Sequence, residues 1–379
     1  MWISNVRIVT EERVMENGSV EIEDGRIRRI SDRTAQEPEI DGGGHTLLPG
    51  FIDVHIHGAA GHDVMDATTE ALDGMTAKLP EEGTTSFLAT TMTQSPENIS
   101  KAVRNVGAYE ASGGAEVLGI HLEGPFISSG KAGAQPTAHI LPPSVEMFET
   151  WQNESRDRIK LVTLAPETEG ALDFIEKISR TGVVCSLGHS EASLETANAA
   201  ADRGARHVTH LFNQMSGLHH REPGLVGAAF LNPSLMVEMI VDHIHVHPDA
   251  VRLAYQTIGS ERTMLITDAM RAKCLADGAY DLGGQDVTVK NQEARLEDGT
   301  LAGSILKLNE AVRKMRPLAS WQELARITSG NAARQLGVFD RKGSIEEGKD
   351  ADLVLLDEDG SVVLTLCMGE VAYQRGESS

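Results

Sequence analysis

His55 and His57 sit two residues apart in Pro-Gly-Phe-Ile-Asp-Val-His-Ile-His-Gly, residues 49–58. On a β-strand that spacing points both imidazoles to one face. A helix, at ~3.6 residues per turn, would turn them roughly 200° apart. Phe51, Ile52, Val54 and Ile56 have the character of a buried strand, and Gly58 ends it. Two neutral imidazoles on one face suit zinc or iron; alone, the pair reads equally as hydrogen-bonded core histidines. Four more apolar runs end in comparable chemistry: His121-Leu-Glu123-Gly-Pro, Gly188-His189-Ser190, His207-Val-Thr-His210 and Ile266-Thr267-Asp268. Singly, Glu123 reads as a surface carboxylate, and His189 or Asp268 as a helix cap. Together they read as a metal site. Glu123, His189 and His210 supply one carboxylate and two imidazoles and leave a coordination position open, the pattern of catalytic zinc. A cation there would activate water and polarise a carbonyl. Asp268 would take the proton of the attacking water and return it to the leaving group. His55 and His57 would complete a second metal position, bridged by Glu123 or water.

These groups converge only if the strands that carry them are parallel and neighbouring. Apolar runs at 51–57, 85–90, 117–122, 159–165, 183–187, 207–212, 235–241 and 264–268 alternate with amphipathic stretches at 68–82, 95–113, 145–152, 169–180, 190–203 and 248–258. Several of the latter close on glycine, which tolerates the left-handed conformation of a helix C-terminus. About eight strand–helix units without a break imply an α/β fold, a closed (β/α)8 barrel rather than an open sheet, with the strand ends forming one mouth. Two stretches interrupt the rhythm. Residues 213–232, rich in Gly and His, read as poorly helical and irregular, a candidate active-site loop. Residues 278–303 read as a hairpin through Val287/Val289 and Ala294/Leu296. Short strands and Asp-Gly turns at both termini imply one small sheet domain from residues 1–48 plus 341–379, flanking a catalytic barrel of 49–340.

The balance of 56 acids against 34 bases, net −22, disfavours nucleic acid and acidic membrane surfaces as partners. It does not exclude a small anionic substrate, because a pocket can be locally positive. Three scattered cysteines, Cys185, Cys274 and Cys367, argue against a disulfide framework. No apolar run approaches ~18 residues, and the N-terminus does not read as a signal peptide. A cytoplasmic location is the expectation.

The motifs His55-Ile-His57-Gly, His121-Leu-Glu123-Gly-Pro-Phe, Gly188-His189-Ser, His210-Leu-Phe-Asn213, Thr267-Asp268-Ala-Met and Leu301-Ala302-Gly303-Ser resemble the amidohydrolase superfamily, and within it the N-acetylglucosamine-6-phosphate deacetylases. The resemblance extends to Gly343-Ser-Ile-Glu-Glu-Gly348-Lys-Asp-Ala-Asp352 and so spans nearly the whole chain. It implies a metal-dependent barrel with a small β-sandwich from both termini, and hydrolysis of the acetamido group of a 6-phosphosugar. It implies one or two divalent cations per subunit, zinc first and Fe2+ or another ion second. Glu123, His189 and His210 would hold the main metal, His55 and His57 the second, and Asp268 would be the acid–base residue. Ala134, Gln135, Asn213, Gln214, Asp242, His243, Ile244, His245, Leu301, Ala302 and Gly303 would surround the sugar. Arg221 and His245 would meet the phosphate, Arg221 from the second subunit of a homodimer. Gln214 departs from a small residue usual there, and Cys274 from a glycine. The rivals are a cyclic-amide or nucleobase amidohydrolase, disfavoured because the Glu123 motif carries no lysine, the galactosamine epimer as substrate, and a barrel scaffold without chemistry.

Overall fold

The computed structural model describes residues 1–111 and 113–376. Phe51–Ile56 and Thr84–Thr91 are buried at every position. Burial without alternation marks parallel strands covered on both faces. They are the first two of eight: β1 (Phe51–Ile56), β2 (Thr84–Thr91), β3 (Glu116–Glu123), β4 (Ile159–Leu164), β5 (Val184–Leu187), β6 (His207–Val208), β7 (Met236–Ile240) and β8 (Thr263–Ile266). All are parallel, and each neighbours the next in sequence. The barrel closes between its last and first members. The Asp268 amide donates to the His55 carbonyl at 2.8 Å, and the His57 and Gly58 amides donate to Ala269 O at 2.9 and 3.0 Å. The buried Asp53 carboxylate reinforces the seam, accepting from the His55 amide (3.2 Å), the Thr267 amide (3.3 Å) and Thr267 Oγ1 (2.5 Å). Gly58 is required at this closure, since a Cβ there would lie 2.3 Å from His62 O.

Between the strands run α1 (Thr69–Lys78), α2 (Pro96–Ala108), α3 (Val145–Glu154), α4 (Ala171–Ser179), α5 (Leu194–Asp202), α6 (Gly224–Leu231), α7 (Pro248–Ile258) and α8 (Leu308–Met315). Thr68, Ser95, Ser144 and Ser193 cap α1, α2, α3 and α5 with their hydroxyls, satisfying amide groups that have no partner within the helix. Two expectations are corrected. The helix expected to reach residue 113 ends at Ala108, where Tyr109 turns extended and its hydroxyl donates to Asp73. The stretch 213–232 is irregular only to Pro223, and α6 follows. Gly-Leu-Val-Gly-Ala-Ala-Phe-Leu is apolar all round, and its first six residues are buried, so it has no polar stripe to display a helical period.

The termini build one eight-stranded mixed sheet, a small auxiliary domain. Its link is Thr46–Pro49, lying parallel to Trp2–Val9 on one side and antiparallel to Leu353–Leu356 on the other. Ile3, Val6, Ile8, Leu47, Leu353 and Leu355 form its core. Thr46–Pro49 runs into β1 across Gly50, so the auxiliary sheet anchors the strand that carries the His-x-His pair. The expected hairpin is a three-stranded antiparallel sheet, Gly278–Leu282, Gln285–Lys290 and Glu293–Arg295. The side chains of Gln94 and Gln285 fasten it at the barrel mouth by donating to Gly283 O (2.7 Å) and Ala134 O (2.6 Å).

Candidate active site

Glu123 ends β3, and four imidazoles from three other places in the barrel wall meet its carboxylate. Oε1 lies 3.2 Å from His189 Nε2, 3.2 Å from His210 Nε2 and 3.3 Å from His55 Nε2; Oε2 lies 3.2 Å from His57 Nε2. His57 and His55 Nε2 are also 3.2 and 3.4 Å from Asp268 Oδ1. Two donor sets result, Glu123–His189–His210 and His55–His57–Asp268, each with its ligand atoms within 4.8 Å of one another. Glu123 touches both. The histidines and Glu123 are buried, while the Asp268 side chain stays 13% exposed and faces the opening.

The donor chemistry fits a cation. His189 Nδ1–H donates to the Lys131 carbonyl at 2.8 Å, so its Nε2 bears a lone pair. That lone pair meets the acceptor oxygen of Glu123 and, at 3.1 Å, Nε2 of His210. His55 donates Nδ1–H to Glu238 at 3.0 Å, and its Nε2 has no hydrogen-bond partner. A buried carboxylate with imidazole nitrogens converging on it is a donor set that suits a divalent ion. Burial raises the pKa of the Glu123 carboxyl, but the surrounding imidazoles outweigh it and hold the group well below the usual range. For Asp268, burial likewise pushes up, and His55 and His57 pull the carboxyl below its ordinary value. It is ionised at neutral pH and stands ready to accept a proton. Burial pulls the His57 pKa down, yet its hydrogen bonds to Asp268 and Glu123 raise it to about 10.

The cleft above these groups encloses ≈ 490 Å³ up to its open mouth. His57, Glu123, His189, His210 and Asp268 form its floor, and Ala134, Gln135, Asn213, Gln214, His245, Leu301 and Gly303 its walls. The other sequence-expected residues lie off the wall. Asp242 accepts from the Ile244 and His245 amides, both at 2.8 Å, and from His245 Nδ1 at 2.6 Å, which aims His245 at the cleft. His243 is exposed, Ile244 is half-buried, and Ala302 is buried behind the wall in the hairpin core. Arg221 is exposed, with its guanidinium on His220 Nε2 at 2.7 Å. Gln135 lines the cleft, and both of its amide atoms have protein partners. Nε2 donates to Glu123 Oε2 at 2.6 Å and Oε1 accepts from the Thr93 amide at 2.7 Å. His121 stays outside both donor sets around Asp268 and His210. Its ring nitrogens are taken by Val54 O (3.1 Å) and Thr163 Oγ1 (2.7 Å).

Sequence reasoning missed the apolar wall residues Met92 and Leu282 and two supporting polar residues, Asp53 and Glu238, and it gave His207 no role of its own. For Asp53 and Glu238 a signal existed. Each is a lone acid inside an apolar run, in Phe-Ile-Asp-Val and Leu-Met-Val-Glu-Met-Ile-Val. A charge buried in a strand must be partnered, and its partner is worth finding.

A parallel barrel with a carboxylate–imidazole cluster at the C-terminal strand ends, joined to a sheet made by both termini, defines a class of metal-dependent hydrolase. The chain belongs to the amidohydrolase family, whose model matches residues 46–372. Within that family it is 51% identical over 384 residues to the N-acetylglucosamine-6-phosphate deacetylase of Bacillus subtilis (strain 168), covering 98% of this chain and 97% of the relative. It is 37% identical over 370 residues to an N-acetylgalactosamine-6-phosphate deacetylase of Escherichia coli O157:H7, covering 97% of each. Among solved structures it superposes, with a TM-score of 0.94 and 32% identity over 99% of each chain, on a mutant N-acetyl-D-glucosamine-6-phosphate deacetylase from Mycobacterium smegmatis in complex with N-acetyl-D-glucosamine-6-phosphate.

Proposed function

We propose that this enzyme hydrolyses the acetamido C–N bond of N-acetylglucosamine 6-phosphate, giving glucosamine 6-phosphate and acetate. The observation that carries the reading is Asp268, ionised and partly open to the cleft, standing beside the buried Glu123–His189–His210 donor set. Similarity to the Bacillus subtilis deacetylase supports the substrate class. Glu123, His189 and His210 would hold the main divalent cation, zinc first and Fe2+ second, and His55 and His57 would hold another. Such an ion would supply Lewis acidity toward water and the acetyl carbonyl. Asp268 accepts the proton from the attacking water as the C–O bond forms. It then delivers that proton to the nitrogen as the C–N bond breaks, so the amine leaves neutral and the proton count closes. Gln135 keeps Glu123 oriented through both of its amide atoms.

In the same reading Ala134, Asn213, Gln214, Leu301 and Gly303 contact the sugar, with Met92 and Leu282 closing the apolar side. His245, oriented by Asp242, meets the phosphate together with Arg221 of a second subunit in a homodimer. Arg221 lies outside the cleft of its own chain and carries a guanidinium suited to phosphate oxygens. No described helix is long and apolar enough to cross a membrane, and the reading takes the cytoplasm as the site of action. The galactosamine epimer is the second candidate substrate, supported by the relative from Escherichia coli O157:H7.

Acetate release tests the proposal, measured with N-acetylglucosamine 6-phosphate, its galactosamine epimer and the unphosphorylated sugar, after chelation and metal add-back. Metal-dependent turnover requiring the phosphate and favouring the gluco epimer is expected. Faster turnover of the galacto epimer moves the assignment to that substrate. Turnover of none of the three, with metal bound, overturns both.

A further inference from the structure

Glu238 sits at the centre of β7, fully buried, beneath the donor cluster. An ionised carboxylate in a barrel core is tolerated only when its lone pairs are met. They are met by groups that matter to the site. Oε1 accepts from His207 Nε2 at 3.0 Å, while Oε2 accepts from His55 Nδ1 at 3.0 Å and from the His210 amide at 3.1 Å. A carboxylate that only accepts forces His55 into the Nδ1–H tautomer. Its Nε2 then heads into the cluster, 3.3 Å from Glu123 Oε1 and 3.4 Å from Asp268 Oδ1. The second bond on Oε2 ties this imidazole to the backbone of His210, in the other donor set.

We propose that Glu238 is the positioning residue that builds the His55–His57 metal position, by fixing the tautomer and heading of His55 and joining it to His210. The inference rests on the reading of His55 and His57 as metal ligands. His55, His121 and Glu238 do bring three ligand atoms within 4.8 Å of one another. They are a support and not a further ion site, because both nitrogens of His121 and both oxygens of Glu238 already have partners. His207 occupies the far oxygen only, so its loss leaves the contact to His55 in place.

Metal counting tests this. The full-length protein is stripped with chelator and dialysed against buffered free Zn2+, and bound zinc per chain is measured by plasma mass spectrometry. The wild type is expected to load two equivalents, and H55Q and E238Q one each at the same free zinc. In E238Q the second equivalent is weakened ~10- to 100-fold, the usual effect of removing a group that orients a ligand. H207Q keeps both equivalents. The double variant H55Q/E238Q matches H55Q alone, because the two residues act through one position. E238Q loading like the wild type, or losing both equivalents while folded, overturns the inference. H55Q loading two equivalents overturns the metal reading of His55 itself, a separate failure. Should E238Q not fold, the histidine 15N spectrum of the wild type decides, with the His55 signals identified by their loss in H55Q. A proton on Nδ1 of His55 supports the proposal, and a bare Nδ1 overturns it.

Discussion

Nε2 of His189 and Nε2 of His210 face each other at 3.1 Å, with Glu123 Oε1 3.2 Å from both. The Lys131 carbonyl takes the Nδ1–H of His189 and so turns its Nε2 into this gap. A divalent ion in this gap would be held by all three groups at once. Chelation is therefore expected to abolish acetate release and lower the melting temperature together, and a divalent ion to restore both. E123Q keeps the shape but removes the negative ligand. Its activity should fall by ~10²-fold or more, the scale of losing one electrostatic stabiliser at a reacting centre. An E123Q protein with full metal content and full rate would contradict the ligand assignment.

Asp268 is expected to separate chemistry from metal binding. D268N removes the proton acceptor while keeping size and position, and kcat should fall ~10²- to 10⁴-fold with zinc retained at the Glu123–His189–His210 position. The wild-type carboxyl is held below its ordinary value by His55 and His57, so its basic form persists across neutral pH and is lost only in acid. The pH profile of kcat/KM should accordingly rise through the acid range and stay high at neutral to alkaline pH, and D268N should lack that rise. Full rate well below the carboxylate range would exclude Asp268 as the base.

The eight strands and the polar groups at their ends were legible because a buried parallel strand is a continuous apolar run, and polar chemistry appears where the run stops. Glu123, His189, His210 and Asp268 all stand at or just past a strand end. Helix α6 was hidden by the same rule, since an all-apolar segment has no face to show a period. Asp53 and Glu238 were hidden for another reason. Their partners lie 214 residues away at Thr267 and 183 residues away at His55, and nothing local identifies them. The side-chain direction of Gln135 was equally beyond sequence. Its neighbours Glu123 and Thr93 fix it, and only the fold brings them to one point.

Metal loading should release protons. Without a cation, His57 is held at about 10 by Asp268 and Glu123 against the downward pull of burial, so at neutral pH its Nε2 carries a proton that a metal must displace. Burial pulls the His55 pKa down as well, but Glu123, Asp268 and Glu238 raise it well above its ordinary value, so affinity at this position should rise by about tenfold per pH unit or more through the neutral range. Isothermal titration with Zn2+ in two buffers of different ionisation enthalpy gives the proton count directly. Release that persists undiminished in H57N would place the proton elsewhere.

The join between barrel and terminal sheet carries its own pH dependence. Glu116, at the start of β3, receives Arg341 through two bonds of 2.6 and 2.9 Å and Lys342 Nζ at 2.9 Å; Arg341 also reaches Asp350 at 2.8 Å, and Lys342 pairs with Asp352. Burial raises the Glu116 pKa, but the two cations overcome it and bring the carboxyl from 4.5 down to about 2. A carboxyl with a lower pKa folded than unfolded stabilises the fold fully above the unfolded value, and that contribution is lost as pH falls from 4.5 towards 2. Urea midpoints followed from pH 7 to pH 3 should drop for the wild type below about pH 4.5. E116Q should start lower at pH 7, because it leaves Arg341 and Lys342 short of a negative partner, and should fall less steeply in the acid window. Parallel curves for the two proteins would show that this join does not contribute to acid unfolding.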